Sequence, residues 1–458
     1  MMRKLRPHQL EAFEYTLREP NPALFMEMRL GKTLVAIRRC MLYRPQCTRI
    51  GLRVLVVAPN SALGSWEDEL TEEGVPFFRV CGSKRERKKT LDIFAVINKP
   101  IPMFFLINRE AHLSTPEMKS LLWDAVILDE STFIKNFAKA KVSKYFVNNF
   151  RSVQHRWCLT GTPAPETLLE LYPQMKFLND SFMGSTDYWK FRSKYFNGSR
   201  DGSGWQPNKG VRRQIETALA QRAFVLTREA AGIHIPKVYE NRMIEMPESI
   251  RKQYDRIEQH MEIDEDNSTI WKMVQWQWLR RLCGGWIDDE EIWTGKRDEL
   301  IELLTGELKN EQVVVWYTYN REIDSCLEAC HEANVKAARL DGSVEIEERE
   351  KTRRLFQAGK TQVLLVQQAV AQTGMNLSAA DTAIYFSEPV GYMARKQTED
   401  RILDTEKKST LLYIHLLVEN SIDEDIRMAL KMKNWASNLL LSRAIKGAMY
   451  ARLQNRVQ

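Results

Sequence analysis

The strongest constraint on how this chain can fold is a set of short, uninterrupted apolar runs. Val54-Leu55-Val56-Val57-Ala58-Pro59, Met103-Phe104-Phe105-Leu106-Ile107, Ala125-Val126-Ile127-Leu128 and Trp157-Cys158-Leu159 are each followed by polar or turn-forming residues and separated by helix-length stretches. A strand with one solvated face alternates apolar and polar positions, whereas a run that is apolar throughout is buried on both faces. Such strands separated by helical segments predict an α/β fold with a parallel, doubly wound sheet, in which ligands bind beyond the carboxyl ends of the strands. The pattern recurs at 313–317, 363–366 and 382–386, so a second, similar α/β lobe follows the first.

Upstream of these runs, Met26-Glu27-Met28-Arg29-Leu30-Gly31-Lys32-Thr33 ends as a phosphate-binding loop ends. A glycine admits backbone N–H groups to phosphate oxygens, the lysine supplies a cation, the threonine hydroxyl can reach Mg²⁺, and the following helix directs its positive end at the anion. Met26 replaces the first glycine of the usual pattern, so the fragment alone is also compatible with an ordinary helix start. Asp129-Glu130, directly after the third run, supplies the partner that the loop's chemistry needs: one carboxylate for the metal, one for an attacking water.

Composition narrows the class. With 458 residues, 44% hydrophobic and 28% charged, the chain can build more than one core. No run of about 18 uncharged apolar residues appears, and the start, Met1-Met2-Arg3-Lys4, is not a leader; a cytoplasmic protein is expected. The seven cysteines form no CxxC pair, which argues for reduced thiols and against structural zinc. A net charge of +7 permits nucleic-acid binding without establishing it.

The motifs also stand in a recognisable order. Leu5-Arg6-Pro7-His8-Gln9, Glu27 to Thr33, Pro59 with Trp66, Asp129-Glu130-Ser131-Thr132 with Ile134-Lys135-Asn136, and Leu159-Thr160-Gly161-Thr162-Pro163 resemble the first-lobe motifs of the Swi/Snf-type ATPases of helicase superfamily two. Asp341-Gly342-Ser343, Gly374-Met375-Asn376-Leu377 and Gln397-Thr398-Glu399-Asp400-Arg401 resemble the second-lobe motifs. The Gly/Ser/Asn-rich stretch 197–210 is similar to the branch that contains annealing helicases and fork remodellers.

This resemblance implies two tandem RecA-like lobes with ATP and Mg²⁺ in the cleft between them. The lobes would be 1–237, with an insertion at 182–215, and 297–430; a helical linker at 238–296 would join them and a basic helical tail at 431–458 would follow. It places Lys32 at the phosphates, Thr33 and Asp129 on the metal, Glu130 at the attacking water and Arg401 at the phosphates from the second lobe. Arg6, Gln9, Arg29, Leu30, Gly31, Gly374 and Gln397 would line the nucleotide, with Gln9 at adenine. Ser61, Lys135, Asn136, Thr160, Gly161, Thr162, Asp341, Gly342 and Asn376 would contact DNA or couple it to hydrolysis. The expected activity is that of a monomeric ATP-dependent DNA translocase or helicase acting beside replication or recombination proteins. A non-hydrolysing nucleic-acid clamp and an RNA-directed helicase remain the alternatives.

Several residues depart from the family. Arg29 stands where it has glycine, Thr132 where it has histidine, and Asp404 where it has a second arginine near the phosphates. Loss of that cation is expected to slow phosphoryl transfer unless Arg29, Arg395 or Lys396 compensates, with Asp404 turned toward Lys407 or Lys408. The Trp/Arg-rich stretch around Trp276, Trp278, Arg280 and Arg281 reads as packing rather than base stacking. The basic run Ser83 to Lys89 reads as a solvated helix, and the acid-free tail as a phosphate contact or a solvated face in equal measure.

Overall fold

The structure, a computed structural model, describes residues 3–43, 52–96, 101–135, 137–138, 140–198, 205–260, 268–287, 290–371 and 375–432. Its strands in chain order are β1 (Ala23–Met26), β2 (Arg53–Ala58), β3 (Phe77–Arg79), β4 (Met103–Asn108), β5 (Ala125–Asp129), β6 (His155–Thr160), β7 (Phe196–Gly198), β8 (Trp205–Pro207) and β9 (Ala223–Leu226). They continue with β10 (Lys237–Ile244), β11 (Trp286–Ile287), β12 (Glu290–Glu291), β13 (Val313–Tyr317), β14 (Ala337–Leu340), β15 (Val363–Gln367), β16 (Thr382–Tyr385) and β17 (Leu411–Val418).

The chain divides into two compact units, one ending at His234 and the next beginning at Ile235. The first is built on a seven-stranded sheet of order β3-β4-β2-β5-β6-β1-β9, the second on a six-stranded sheet of order β10-β17-β16-β13-β15-β14, and every pairing in both is parallel. The apolar runs form the inner strands for the reason the sequence suggests. Phe25, Leu55, Val57, Phe105 and Leu128 fill the core on one face of the first sheet, and Leu24, Val54, Val56, Phe104 and Leu159 fill the core on the other. In the second sheet Val313, Val315, Leu365 and Ile384 alternate in the same way with Val314, Trp316, Leu364 and Tyr385. Both units are therefore α/β sandwiches with a doubly covered parallel sheet.

Two stretches differ from the sequence-based expectation. The 238–296 segment, expected as helical, opens with β10, an edge strand paired to β17 over its full length. Val238, Tyr239 and Met243 are exposed and the polar run Glu240-Asn241-Arg242 separates them, so it lacks the continuous apolar run that marks an inner strand. The helices Glu248–His260 and Ser268–Cys283 follow; Trp276 packs against the second unit's core, and Trp293 is buried with its indole N–H on the Leu282 carbonyl at 2.7 Å. Packing is thus the role of these two tryptophans. The basic run near residue 84 does enter a helix, Lys84–Val96, but Arg87 is buried and donates to Thr115 Oγ1 (2.8 Å), Ser114 Oγ (3.2 Å) and the Gly82 carbonyl (2.6 Å).

Of the cysteines described, Cys40, Cys158, Cys283, Cys326 and Cys330 are buried and free, as reduced core thiols should be. Among the described residues no helix is long and apolar enough to cross a membrane. Asn136, Gly374 and tail residues 433–458 lie outside the described residues.

The second unit buries the ion pair of Lys296 Nζ with Asp423 Oδ2 at 2.7 Å, and the ammonium also donates to the Phe386 carbonyl at 2.9 Å. Removing one partner leaves the other charge buried and uncompensated, which typically costs about 3–5 kcal/mol. Asp423→Ala is expected to lower the unfolding temperature of the second unit sharply while a probe in the first unit stays at its parental midpoint. Unchanged thermal unfolding would show that the pair contributes nothing to stability.

Candidate functional site

Three neighbouring strands of the first sheet, β5, β6 and β1, end side by side. Their registers place Phe25 opposite Thr160, and Leu159 opposite both Leu24 and Asp129. Parallel pairing sends all three chains out at the same edge, so the phosphate loop after β1, the acidic pair at the end of β5 and the Thr-Gly-Thr turn after β6 meet there.

The loop is held from several sides. Gly31, in the left-handed region at φ 79°, precedes the helix Lys32–Cys40. A Cβ at Gly31 would lie 2.0 Å from Gln9 Nε2, so a side chain there would displace the Gln9 amide, and the left-handed backbone favours glycine. Gln9 is buried: its Oε1 accepts from the Arg6 N–H at 2.9 Å and its Nε2 donates to the Leu30 carbonyl at 3.4 Å. The amide expected to read adenine therefore ties the first helix, Pro7–Arg18, to the loop. Lys32 Nζ donates to the carbonyls of Met26 (2.8 Å) and Glu27 (3.3 Å). Glu27 Oε2 in turn accepts from the Arg228 backbone N–H at 2.7 Å, next to β9.

Arg29 has φ 65°. That conformation costs a non-glycine residue about 1–2 kcal/mol, which explains why the family places glycine here. The sequence displayed the departure but not the dihedral behind it.

At the end of β5, Asp129 is buried and both of its oxygens are engaged: Oδ2 accepts from Trp66 Nε1 at 2.8 Å and Oδ1 from the Glu130 N–H at 2.9 Å. Burial pushes the Asp129 carboxyl up, against the Trp66 N–H, the Lys32 ammonium and the Glu130 N–H, which pull it down. Glu130 itself sits in the left-handed region at φ 48°, a strained backbone of the kind concentrated at functional sites. Its Oε2 accepts from Thr160 Oγ1 at 3.2 Å, and the same hydroxyl accepts from the Thr162 N–H at 3.1 Å. Gly161 closes the arrangement: a Cβ there would come within 3.3 Å of the Met26 carbonyl and the Met28 nitrogen. The Thr-Gly-Thr turn thus lies directly on the phosphate loop and is hydrogen-bonded to the acidic pair.

Sequence reasoning used Trp66 only as a family marker and did not see it as the residue that orients Asp129. It also missed Gln174, which accepts from Ser131 Oγ (2.7 Å) and donates to the carbonyls of Pro163 (2.7 Å) and Glu170 (2.9 Å), joining the two strand ends from beneath. No local pattern marks either contact, since both join residues distant in the chain. Thr132, the departure from histidine, is buried beside the Glu130 carbonyl.

Other expected site residues are placed as follows. Thr33 is in the first turn of the helix Lys32–Cys40, and Ser61 is in the first turn of the helix Asn60–Glu72 after β2. Lys135 is ion-paired with Glu166 (3.1 Å) and Glu170 (3.6 Å). In the second unit Asp341 follows β14 and accepts from the Ser343 N–H at 2.8 Å; burial would raise its carboxyl, but the Ser343 hydrogen bonds and Arg339 outweigh it and hold it low. The Gly342 N–H donates to Gln367 Oε1 at 3.4 Å, and Asn376 Oδ1 accepts from the Ser378 N–H at 3.2 Å. Gln397 is half-buried on the helix Tyr392–Glu399, and Arg401 follows that helix, buried, with its carbonyl accepting from the Leu377 N–H at 3.0 Å.

Two of the expected compensations for Asp404 do not hold. Asp404 Oδ1 accepts from the Glu406 N–H at 3.0 Å, a local turn, while Lys407 turns its ammonium to Asp381 and the Ala380 carbonyl. Arg395 is buried: it lies 3.9 Å over the Tyr385 ring, 3.3 Å from His415 Nε2 and 3.9 Å from carboxylate oxygens of Glu388 and Glu399. Glu399 also takes Lys237 Nζ at 2.6 Å, so this network fastens the helix bearing Gln397 to β10 and β17.

Burial holds His415 neutral, with its pKa lowered from 6.5 to about 4, despite the adjacent Glu388 carboxylate, which pulls the other way. A neutral ring then donates through Nδ1 to Glu388 and accepts at Nε2 from Arg395. In the unfolded chain the imidazole binds a proton below about 6.5, and Glu388, whose folded pKa is depressed, adds a loss of the same sign at lower pH. Thermal unfolding of the second unit is therefore expected to move to lower temperature as pH falls from 6.5 toward 4, and His415→Gln should flatten that dependence. An identical pH profile in the variant would remove His415 from the account.

Comparison with known proteins follows the same lines. The SNF2-related domain family matches residues 8–277, and the Helicase conserved C-terminal domain matches residues 295–404. Similar relatives include the ISWI chromatin-remodeling complex ATPase ISW1 of Saccharomyces cerevisiae, 26% identical over 92% of this chain and 39% of the relative. The putative ATP-dependent helicase/translocase YwqA of Bacillus subtilis is 25% identical over 95% of this chain and 49% of its own, and the DNA repair and recombination protein RAD54B of Gallus gallus is 24% identical over 92% and 53%. The chain thus spans about half or less of the length of these relatives. Among solved structures, the Sulfolobus solfataricus SWI2/SNF2 ATPase core in complex with dsDNA aligns with 97% of this chain and 95% of its own, at 19% identity and a TM-score of 0.45. With more than half its length matched by the first of these families, the chain belongs to the SNF2-related group of helicase superfamily two, the Swi/Snf-type ATPases.

Proposed function

We propose that this chain is a DNA-dependent ATPase that converts hydrolysis into movement on duplex DNA. The observation behind this reading is the meeting of the Lys32 loop, the Asp129-Glu130 pair and the Thr160-Gly161-Thr162 turn at three adjacent strand ends. A turn that touches both the phosphate loop and the acidic pair responds to a change at either, which is what coupling hydrolysis to a second ligand requires. The YwqA and RAD54B relatives, described as a putative helicase/translocase and as a DNA repair and recombination protein, support DNA as that ligand.

In this reading Lys32 and the loop N–H groups hold the triphosphate, while Thr33 and Asp129 hold Mg²⁺. The residues fit the ion: an ionised carboxylate has about four lone-pair positions, and Asp129 uses two in the bonds from Trp66 and Glu130, which leaves capacity for a cation or its water. When bound, Mg²⁺ supplies neutralisation of charge on the phosphate oxygens. Glu130 orients the attacking water and takes its proton, and its bond to Thr160 sets the carboxylate's direction. Gln9 reaches adenine only by giving up its bonds to Arg6 and Leu30. Arg401 is the cation assigned to the triphosphate from the second lobe's motif, and Asp404, occupied in its own turn, does not replace the missing arginine.

The test is steady-state ATP turnover with duplex DNA, single-stranded DNA and single-stranded RNA in parallel. Duplex DNA is expected to stimulate most, and Glu130→Gln to retain nucleotide binding while losing turnover by about a hundredfold or more. Turnover indifferent to every nucleic acid would instead indicate a clamp, and RNA as the strongest stimulator would indicate the RNA-directed alternative.

A further inference from the structure

The excursion between β6 and β9 of the first sheet holds a surface that the strand-end site does not use. The helix Tyr188–Tyr195 turns Tyr188, Phe191 and Tyr195 into the core, at the three- and four-residue spacing of one helical face. Its other face carries Trp189, Lys190 and Lys194 into solvent. The helix is fixed at its start by Asp187, which accepts from the Lys190 N–H at 2.8 Å. Antiparallel β7 and β8 follow and bring Trp205 back beside it. Asn208 anchors that return, its N–H on the Tyr195 carbonyl at 2.9 Å and its amide on the Lys194 carbonyl at 3.1 Å.

Trp189 and Trp205 are 52% and 36% exposed. They share one cation: the Arg192 guanidinium lies 4.5 Å from the Trp189 ring and 3.9 Å from the Trp205 ring. The attraction of a cation to an exposed ring is weak, so stabilising Arg192 does not by itself account for two indoles left in water. The surroundings are strongly basic. From Tyr188 to Arg213 the sequence contains seven lysines and arginines and one acid, in a chain whose whole net charge is +7. Exposed rings held rigidly among cations match the chemistry of nucleic acid with unpaired bases, where every base offers a face for stacking and every phosphate a negative charge.

We propose that Trp189, Arg192 and Trp205 form a second nucleic-acid contact, specific for single-stranded segments. Unpaired bases stack on the outer faces of the indoles, and Lys190 and Lys194 meet the adjoining phosphates. This rests on the reading of the chain as a DNA-dependent motor and adds the form of substrate: DNA in which a duplex adjoins a single strand.

The experiment uses the full chain and measures equilibrium binding of a single-stranded oligothymidylate, a uridine oligonucleotide of equal length and a blunt duplex. Duplex-stimulated ATP turnover is measured alongside. Trp189→Ala and Trp205→Ala are each expected to weaken single-strand binding about five- to a hundredfold, the effect of losing one base–aromatic stack. The salt dependence should stay the same, because a stack releases no counterions, whereas Lys190→Ala with Lys194→Ala should flatten it. Trp→Phe at either position should restore most of the affinity, and turnover with duplex DNA should stay parental in all these variants. Weaker binding of the uridine strand than of the thymidine strand assigns the surface to DNA, and equal binding assigns it to unpaired bases of either kind. Parental single-strand affinity in both alanine variants overturns the proposal, as does an equal loss on single strand and duplex. If duplex DNA fails to stimulate turnover in the parent, the motor reading falls, while the single-strand measurements still decide whether this surface binds bases.

Discussion

The parallel pairing of β5, β6 and β1 is the constraint on which the rest of the first unit's chemistry depends. With Leu159 in register with both Leu24 and Asp129, residues more than a hundred positions apart in sequence leave the sheet at one edge. Hydrophobic burial on both faces of the sheet holds that register, because a one-residue slip would exchange the two cores. The polar site therefore borrows its precision from apolar strands. Gly161 can lie against the phosphate loop only because β6 and β1 are direct neighbours.

Around that edge the protein accepts local costs. Asp129 is buried, which disfavours its charge, and Trp66, Lys32 and the Glu130 N–H offset the penalty. Glu130 and Arg29 both occupy left-handed backbone, and neither is glycine. Costs of this kind persist where the surroundings over-determine the conformation. Here Arg228 with Glu27, Gln9 with Gly31, and Gln174 with Ser131 and Pro163 supply those restraints.

Much of this was legible in the sequence. The inner strands announced themselves as apolar runs, and the phosphate loop, the acidic pair and the Thr-Gly-Thr turn were each visible as local patterns. What stayed hidden was non-local or masked by exposure. β10 and β14 lie at sheet edges and mix polar with apolar residues, and β17 is interrupted by His415, whose buried bonds to Arg395 and Glu388 no pattern reveals. Trp66 meets Asp129 across 63 positions. Gln9 reads as a surface amide until Gly31 is seen to leave room for it, and Arg395 reads as an available cation until its partners are known. A motif names the residues present, while their partners decide which of them remain available.

The central claim is that Thr160 connects the acidic pair to the turn against the phosphate loop. Its hydroxyl donates to Glu130 and accepts from the Thr162 N–H, so Thr160→Val keeps the shape and removes both bonds. The most direct measurement is ATP turnover of this variant across a titration of duplex DNA, with nucleotide affinity measured beside it. The account expects parental nucleotide affinity with DNA-stimulated turnover reduced about tenfold or more, since positioning contacts of this type commonly contribute that much. Stimulation equal to the parent's at every DNA concentration would contradict it.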